Sequence, residues 1–141
     1  MPKKLSKYRV FIDGASRGNP GPASVGVVFQ GPDGETVKTL SQRIGVSTNN
    51  VAEYSALIFA MQEGMILKAS ELEIFTDSEL LAKQIAGEYK IKDDFLKVLY
   101  QFARHLKAAY SKVSVTHVGR EQNKLADKLA NQALDAQDLF L

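Results

Sequence analysis

Tyr8-Arg9-Val10-Phe11-Ile12-Asp13 decides the fold of this chain. Nearly all of its apolar side chains want cover, which predicts a strand near the centre of a sheet, and the run stops on a carboxylate. Leu72, Ile74 and Thr76 alternate with Glu71, Glu73 and Phe75 in another predicted strand, and it stops on Asp77. Glu53 lies four residues before Leu57, in the first turn and on the apolar face of a predicted helix, while Asp127 borders the apolar stripe of the last one. Unpaired carboxylates at the edge of a core are costly, so these four ask for something positive to gather them. With zero Cys and two His, at 105 and 117, the chain excludes a thiolate zinc site and argues against an imidazole-rich one. An all-oxygen donor set suits Mg2+ or Mn2+.

Outward from that strand, the glycines and prolines of residues 14–22 predict a loop. Residues 24–30 resume as a strand, Gly31-Pro32-Asp33-Gly34 is a turn, and residues 35–44 complete an antiparallel meander. Thr48-Asn49-Asn50 offers capping side chains to a helix running to about residue 67. Residues 78–86 read as helical, with Gly87 as the stop. Phe95, Val98, Leu99, Phe102 and Leu106 keep helical spacing after a cap at Asp93 or Asp94. Val113, Val115 and His117 form the last strand; residues 122–136 form a helix with Leu125, Ala126, Leu129, Ala130, Ala133 and Leu134 as its stripe. The expected class is α/β: a mixed sheet flanked by helices.

At 141 residues, 45% hydrophobic and 24% charged, the chain is expected to be a single domain over 1–141. Charges break its apolar stretches well before the roughly 18 residues a membrane span requires, and the first residues lack the apolar run of a secretion signal. A cytoplasmic protein with no membrane partner is the expectation, in keeping with the lack of cysteine. A net charge of +2 tolerates a polyanionic partner without identifying one.

Taken together, the loop after Asp13, Thr48-Asn49-Asn50-Val51-Ala52-Glu53-Tyr54, Thr76-Asp77-Ser78, and His117-Val118-Gly119-Arg120-Glu121-Gln122-Asn123-Lys124-Leu125-Ala126-Asp127 resemble ribonuclease H of type 1. The resemblance runs from about residue 8 to residue 135. It implies a five-stranded mixed sheet, the first three strands antiparallel, and a metal-dependent endonuclease that cuts the RNA strand of RNA/DNA hybrids, leaving 5′-phosphate and 3′-hydroxyl ends. It also implies a catalytic set of Asp13, Glu53, Asp77 and Asp127 holding two Mg2+ ions, with Mn2+ as a substitute. His117 becomes a mobile proton shuttle or an aid to product release; a strand-end histidine packed against a helix is the alternative. Asn123 orients this region, caps the last helix, or does both.

The resemblance places Asn49 and Asn50 in the minor groove of the hybrid, where amides can read the 2′-hydroxyls of one strand. Gly14, Ala15 and Ser16 let the backbone approach the RNA closely. Asn19, Thr48, Ser78 and Asn123 complete the implied substrate-binding set, whereas Gly18 and Gly21 are also ordinary turn formers. Two departures stand out. Residues 87–94 are too few for the basic handle that well-studied bacterial relatives carry, and Val46 occupies a position where many relatives place a phosphate-binding arginine. Fewer phosphate contacts imply weaker, less salt-sensitive binding, unless Lys83, Lys90, Lys92 and Lys97 compensate. Some short-form relatives act on other RNA-containing duplexes. Another metal nuclease of the same superfold, exonuclease or integrase-like, and a non-catalytic nucleic-acid-binding module are the competing readings; the second is expected to have lost at least one of the four acids. Leu139-Phe140-Leu141 is an apolar tail that packs on its own core in a monomer or pairs two subunits, and its small area favours the first.

Overall fold

The computed structural model describes residues 6–140, and the side chains of residues 6–136. Strands β1 (Lys7–Ser16), β2 (Gly21–Gln30) and β3 (Thr36–Ser47) form the antiparallel meander. Helix α1 (Asn49–Ile66) leads to β4 (Glu71–Thr76), α2 (Glu79–Ile85), α3 (Asp94–Leu106), β5 (Lys112–His117) and α4 (Lys124–Phe140). The five strands lie in the order β3-β2-β1-β4-β5, with β4 parallel to both β1 and β5.

Alternation along β1 and β2 divides the cover between two faces. Val10, Ile12, Val25, Val27 and Phe29 join Leu72 and Ile74 in one core with Tyr54, Leu57 and Met61 of α1. Burying a large apolar side chain of this kind contributes roughly 1.5–3 kcal/mol. The intervening residues face α4: the Ser24 hydroxyl donates to the Ala130 carbonyl, and Gly26 lies under Ala126 and Ala130. Farther along this face Phe11 and Phe75 stack at 5.0 Å, with the Arg9 guanidinium 5.1 Å from the Phe75 ring centre.

The helix starts follow their capping chemistry. Thr48 Oγ1 accepts from the Val51 amide at 3.2 Å, Ser78 Oγ from Leu81 at 3.1 Å, and Asp93 Oδ1 from Leu96 at 2.9 Å. Such a cap stabilises a helix by about 1 kcal/mol. Gly87, at φ +80°, ends the α2 segment in a conformation L residues avoid.

Several expected boundaries move. β1 does not stop at Asp13; Gly14, Ala15 and Ser16 pair with Val25, Ser24 and Ala23, so the loop shrinks to four residues, 17–20. β3 runs three residues farther, to Ser47. Glu53 lies beyond the first turn of α1, which holds no acid, and a 3-10 turn at Arg120–Gln122 precedes α4. Helix α3 forms as expected but is rotated. Leu96 and Ala103 are buried and Leu99 and Tyr100 half-buried, while Phe95, Val98 and Phe102 are 55%, 47% and 56% exposed. The packing of the Leu139-Phe140-Leu141 tail lies outside the described side chains. Among the described residues, no helix is long and apolar enough to cross a membrane.

A Cβ built on Gly26 would meet the Ala126 carbonyl oxygen and stand 2.7 Å from the Ala130 nitrogen, both backbone atoms of α4. Gly26→Ala is therefore expected to cost about 3 kcal/mol, the upper end for overpacking, in urea unfolding. Gly34→Ala, where φ is +83° but space is open, should cost only about 1–2 kcal/mol. Equal losses at the two positions would show that α4 does not depend on this close approach.

Candidate active site

Asp13 and Asp77 each follow the last β1–β4 pair, Ile12 with Thr76, so the parallel register sets the two carboxylates side by side. Glu53 reaches them from α1. Its Oε1 accepts from the Gly14 amide at 2.6 Å, and it can approach so closely because a Cβ on Gly14 would collide with the backbone of Ala52 and Glu53. Asp13, Glu53 and Asp77 each offer an oxygen, and these oxygens lie within 4.8 Å of one another. Asp13 and Glu53 are each only 6% exposed.

Burial, then the charges of Glu53 and Asp77, then a hydrogen bond and charge from Asp127, push the Asp13 pKa up to about 9. Burial likewise raises Glu53 to about 8; the Gly14 amide opposes this and Asp77 reinforces it. Every influence on Asp13 resists its ionisation, so the cavity has a place for a positive charge. The donor set consists of carboxylate oxygens, which fits a hard divalent cation.

Asp127 stands in the first turn of α4, exposed and lining the same cavity, outside the close group of three. Gly14, Ala15, Ser16, Asn49 and Ser78 also line this cavity, which has a volume of about 580 Å3. Asn19 is one step back, its Oδ1 accepting from the Asn49 amide at 2.9 Å. Thr48 and Asn50 are exposed but do not line it, and the Thr48 hydroxyl is engaged as the α1 cap. Asn123 is buried: Nδ2 donates to the Ile12 carbonyl at 2.8 Å, and its own carbonyl accepts from the Asp127 amide at 3.1 Å. It thus ties Asp127 to the strand carrying Asp13. His117 closes β5 opposite Thr76, exposed and outside the cavity lining.

Sequence reading missed Arg120, Glu121, Lys124 and Asn131, which line the cavity from the 3-10 turn and α4. Asn131 Nδ2 donates to the Asp127 carbonyl at 3.0 Å and lies 3.3 Å from its Oδ1, a contact that i, i+4 spacing from Asp127 could have signalled. No helical handle follows α2. Lys83 pairs with Glu88 at 3.0 Å and Lys97 with Asp94 at 3.6 Å, which partly neutralises two of the four compensating lysines. Val46 is 72% exposed. The connection is anchored from α1: the Tyr54 hydroxyl donates to Gln84 Oε1 at 2.7 Å, and Gln84 Nε2 donates to the Lys90 carbonyl at 3.2 Å.

The strand order β3-β2-β1-β4-β5, with acids at the end of its central parallel pair, defines the ribonuclease H-like fold class. Residues 11–133 match the family described as reverse transcriptase-like. A ribonuclease HI of Halobacterium salinarum is 42% identical over 135 residues, 96% of this chain and 68% of that relative. A bifunctional protein of Mycobacterium tuberculosis is 43% identical over 131 residues, 92% of this chain, which spans only 36% of that protein. The crystal structure of the Halobacterium salinarum RNase H1 has a TM-score of 0.91 at 42% identity, covering 93% of this chain and 99% of the other. LC11-RNase H1, in complex with an RNA/DNA hybrid, gives 0.88 at 38% identity, covering 92% and 98%. The chain belongs to the ribonuclease H type 1 family.

The raised carboxylates make stability without metal depend on pH. An acid whose pKa is higher folded than unfolded binds more protons in the native state between the two values, so unfolding free energy falls as pH rises through that window. For Asp13 and Glu53 the window runs from about 4 to about 8–9. In chelator, the melting temperature should decline over this range, and Asp13→Asn should raise it and flatten the decline. A variant curve parallel to the parent's would remove Asp13 from the repulsive cluster.

Proposed function

We propose that the chain hydrolyses the RNA strand of RNA/DNA hybrids endonucleolytically, leaving 5′-phosphate and 3′-hydroxyl ends. The observation that carries this is the convergence of Asp13, Glu53 and Asp77 within 4.8 Å at one end of the central strands, with Asp127 on the same cavity. These four residues would hold Mg2+, with Mn2+ as a substitute. When bound, a pair of such ions polarises a water, neutralises the phosphoryl group and stabilises the departing 3′-oxygen.

The chain's own residues supply position and charge. Asp13, in the central strand with paired neighbours on both sides, would hold the metal from the most firmly anchored element. Glu53 and Asp77 would hold the metal with it, and Asp127, fastened through Asn123 to β1, would help from α4. The attacking water bonds to phosphorus as the bond to the 3′-oxygen breaks; a proton leaves the water and another reaches the 3′-oxygen. His117, exposed at the end of β5, is the candidate for moving a proton to or from the reacting groups. Gly14, Ala15 and Ser16 meet the RNA backbone, and the side-chain amides of Asn49, whose backbone Asn19 holds, and of Asn50 read the minor groove. Arg120 and Lys124 add positive charge where phosphates pass. A cytoplasmic monomer that also accepts other RNA-containing duplexes completes the reading.

Strand-labelled hybrid, duplex RNA and duplex DNA incubated with Mg2+, Mn2+ or chelator test it. Internal cuts are expected in the RNA strand of the hybrid with metal, none in chelator, and none for Asp13→Asn; an intact RNA strand with both metals would overturn the reading. Asp127→Asn should be less damaging than Asp13→Asn. His117→Ala is expected to lower turnover by about 10-fold to 100-fold with the melting temperature unchanged, the lower range for a positioned proton-transfer group. An unchanged rate would take His117 out of the reaction.

A further inference from the structure

A second cavity, of about 450 Å3, shares no lining residue with the acidic one. It lies where α1, α2, α3 and β5 meet, and its floor continues the core through Leu57, Met61, Ile85, Val113 and Val115. Small residues leave the space: Ala103 is the buried α3 residue that faces it, and Ala86 ends α2. Roughly 300–1,000 Å3 is the usual range for small-molecule sites, in which apolar surface supplies burial and polar groups orient the ligand.

Those polar groups are present and uncommitted. Arg104, in the last turn of α3, and Lys107, in the 3-10 turn after it, both line the cavity and are exposed. Among the described residues neither forms an ion pair, whereas Lys7, Lys38, Lys83 and Lys97 each have a carboxylate partner. A helix C-terminus favours cations, which accounts for their presence at this end of α3. It does not account for two of them lining a cavity with an apolar floor. A ligand of complementary design has an apolar body and one anionic head, and gains both area burial and charge-assisted hydrogen bonds.

We propose that this cavity binds a small aliphatic carboxylate, its chain against Leu57, Ile85 and Val115 and its head between Arg104 and Lys107. The site is independent of the nuclease reading. Octanoate, octanol and octylamine titrated into the full chain in chelator, followed by amide and methyl chemical shifts, separate the contributions of head and body. Octanoate should shift the Leu57, Ile85, Val113 and Val115 resonances and bind at least about 10-fold more tightly than octanol, with octylamine weaker still. Combining Arg104→Glu with Lys107→Glu should weaken octanoate about 10-fold or more and leave octanol unchanged. Ala86→Phe, at an exposed helix end, should weaken both by occupying the cavity. Equal affinity for octanoate and octanol, shifts centred elsewhere, or an unaltered octanoate titration in the doubly reversed variant would overturn the proposal.

Discussion

Like charges forced together inside a fold govern this structure. Asp13 and Asp77 are neighbours because β1 and β4 are parallel and in register, and Glu53 joins them because α1 crosses the end of β1 in backbone contact. Asp13 and Glu53, both buried, cannot withdraw to solvent without unpairing a strand or lifting a helix. Burial first, and the repulsion in addition, therefore raise the pKa values of Asp13 and Glu53 in the native state. A cation that enters this cavity finds its oxygens already assembled, so part of the cost of gathering them has been met by folding.

Backbone contacts, rather than side-chain choice at the acids, provide the required precision. Gly14 and Gly26 each admit a helix backbone where a methyl group would collide, the first under α1 and the second under α4. Because Gly26 is the β2 partner of Asp13, both approaches converge on the same stretch of sheet. Asn123 adds a third constraint by spanning from Ile12 to the first turn of α4. Two glycines and one buried amide thus set Glu53 and Asp127 against the strand of Asp13, and strand register sets Asp77.

The meander, strands β1 and β4 and their acids were legible because strand alternation and carboxylates at the ends of apolar runs are local signals. Gly14 misled: its glycine character read as loop, whereas the strand continues and the missing side chain serves the contact with α1. The rotation of α3 was hidden for another reason. Phe95, Val98 and Phe102 form a helical stripe, but so do Leu96, Leu99, Tyr100 and Ala103; only the fit against α1 selects the second. Arg120 and Lys124 were not singled out, since nothing local reveals that the turn before α4 and the first residue of that helix reach a cavity built largely from the distant β1, α1 and β4 ends. Asp127 was visible as an acid beside an apolar stripe, but its separation from the close group of three depends on helix placement.

The Tyr54–Gln84–Lys90 chain of hydrogen bonds bears on how such a protein can change over generations. It anchors the α2–α3 connection next to the helix that carries Glu53, and Ile91 packs against the core just beyond. Helix α3 then restarts from its own cap at Asp93. An insertion between Lys92 and Asp93 would leave the anchor and the cap intact, and each doubling of loop length there would add only about 0.6 kcal/mol of closure entropy. New surface for gripping a nucleic acid can accordingly be gained or lost at this junction in small steps, while the acidic centre inherits none of the disturbance.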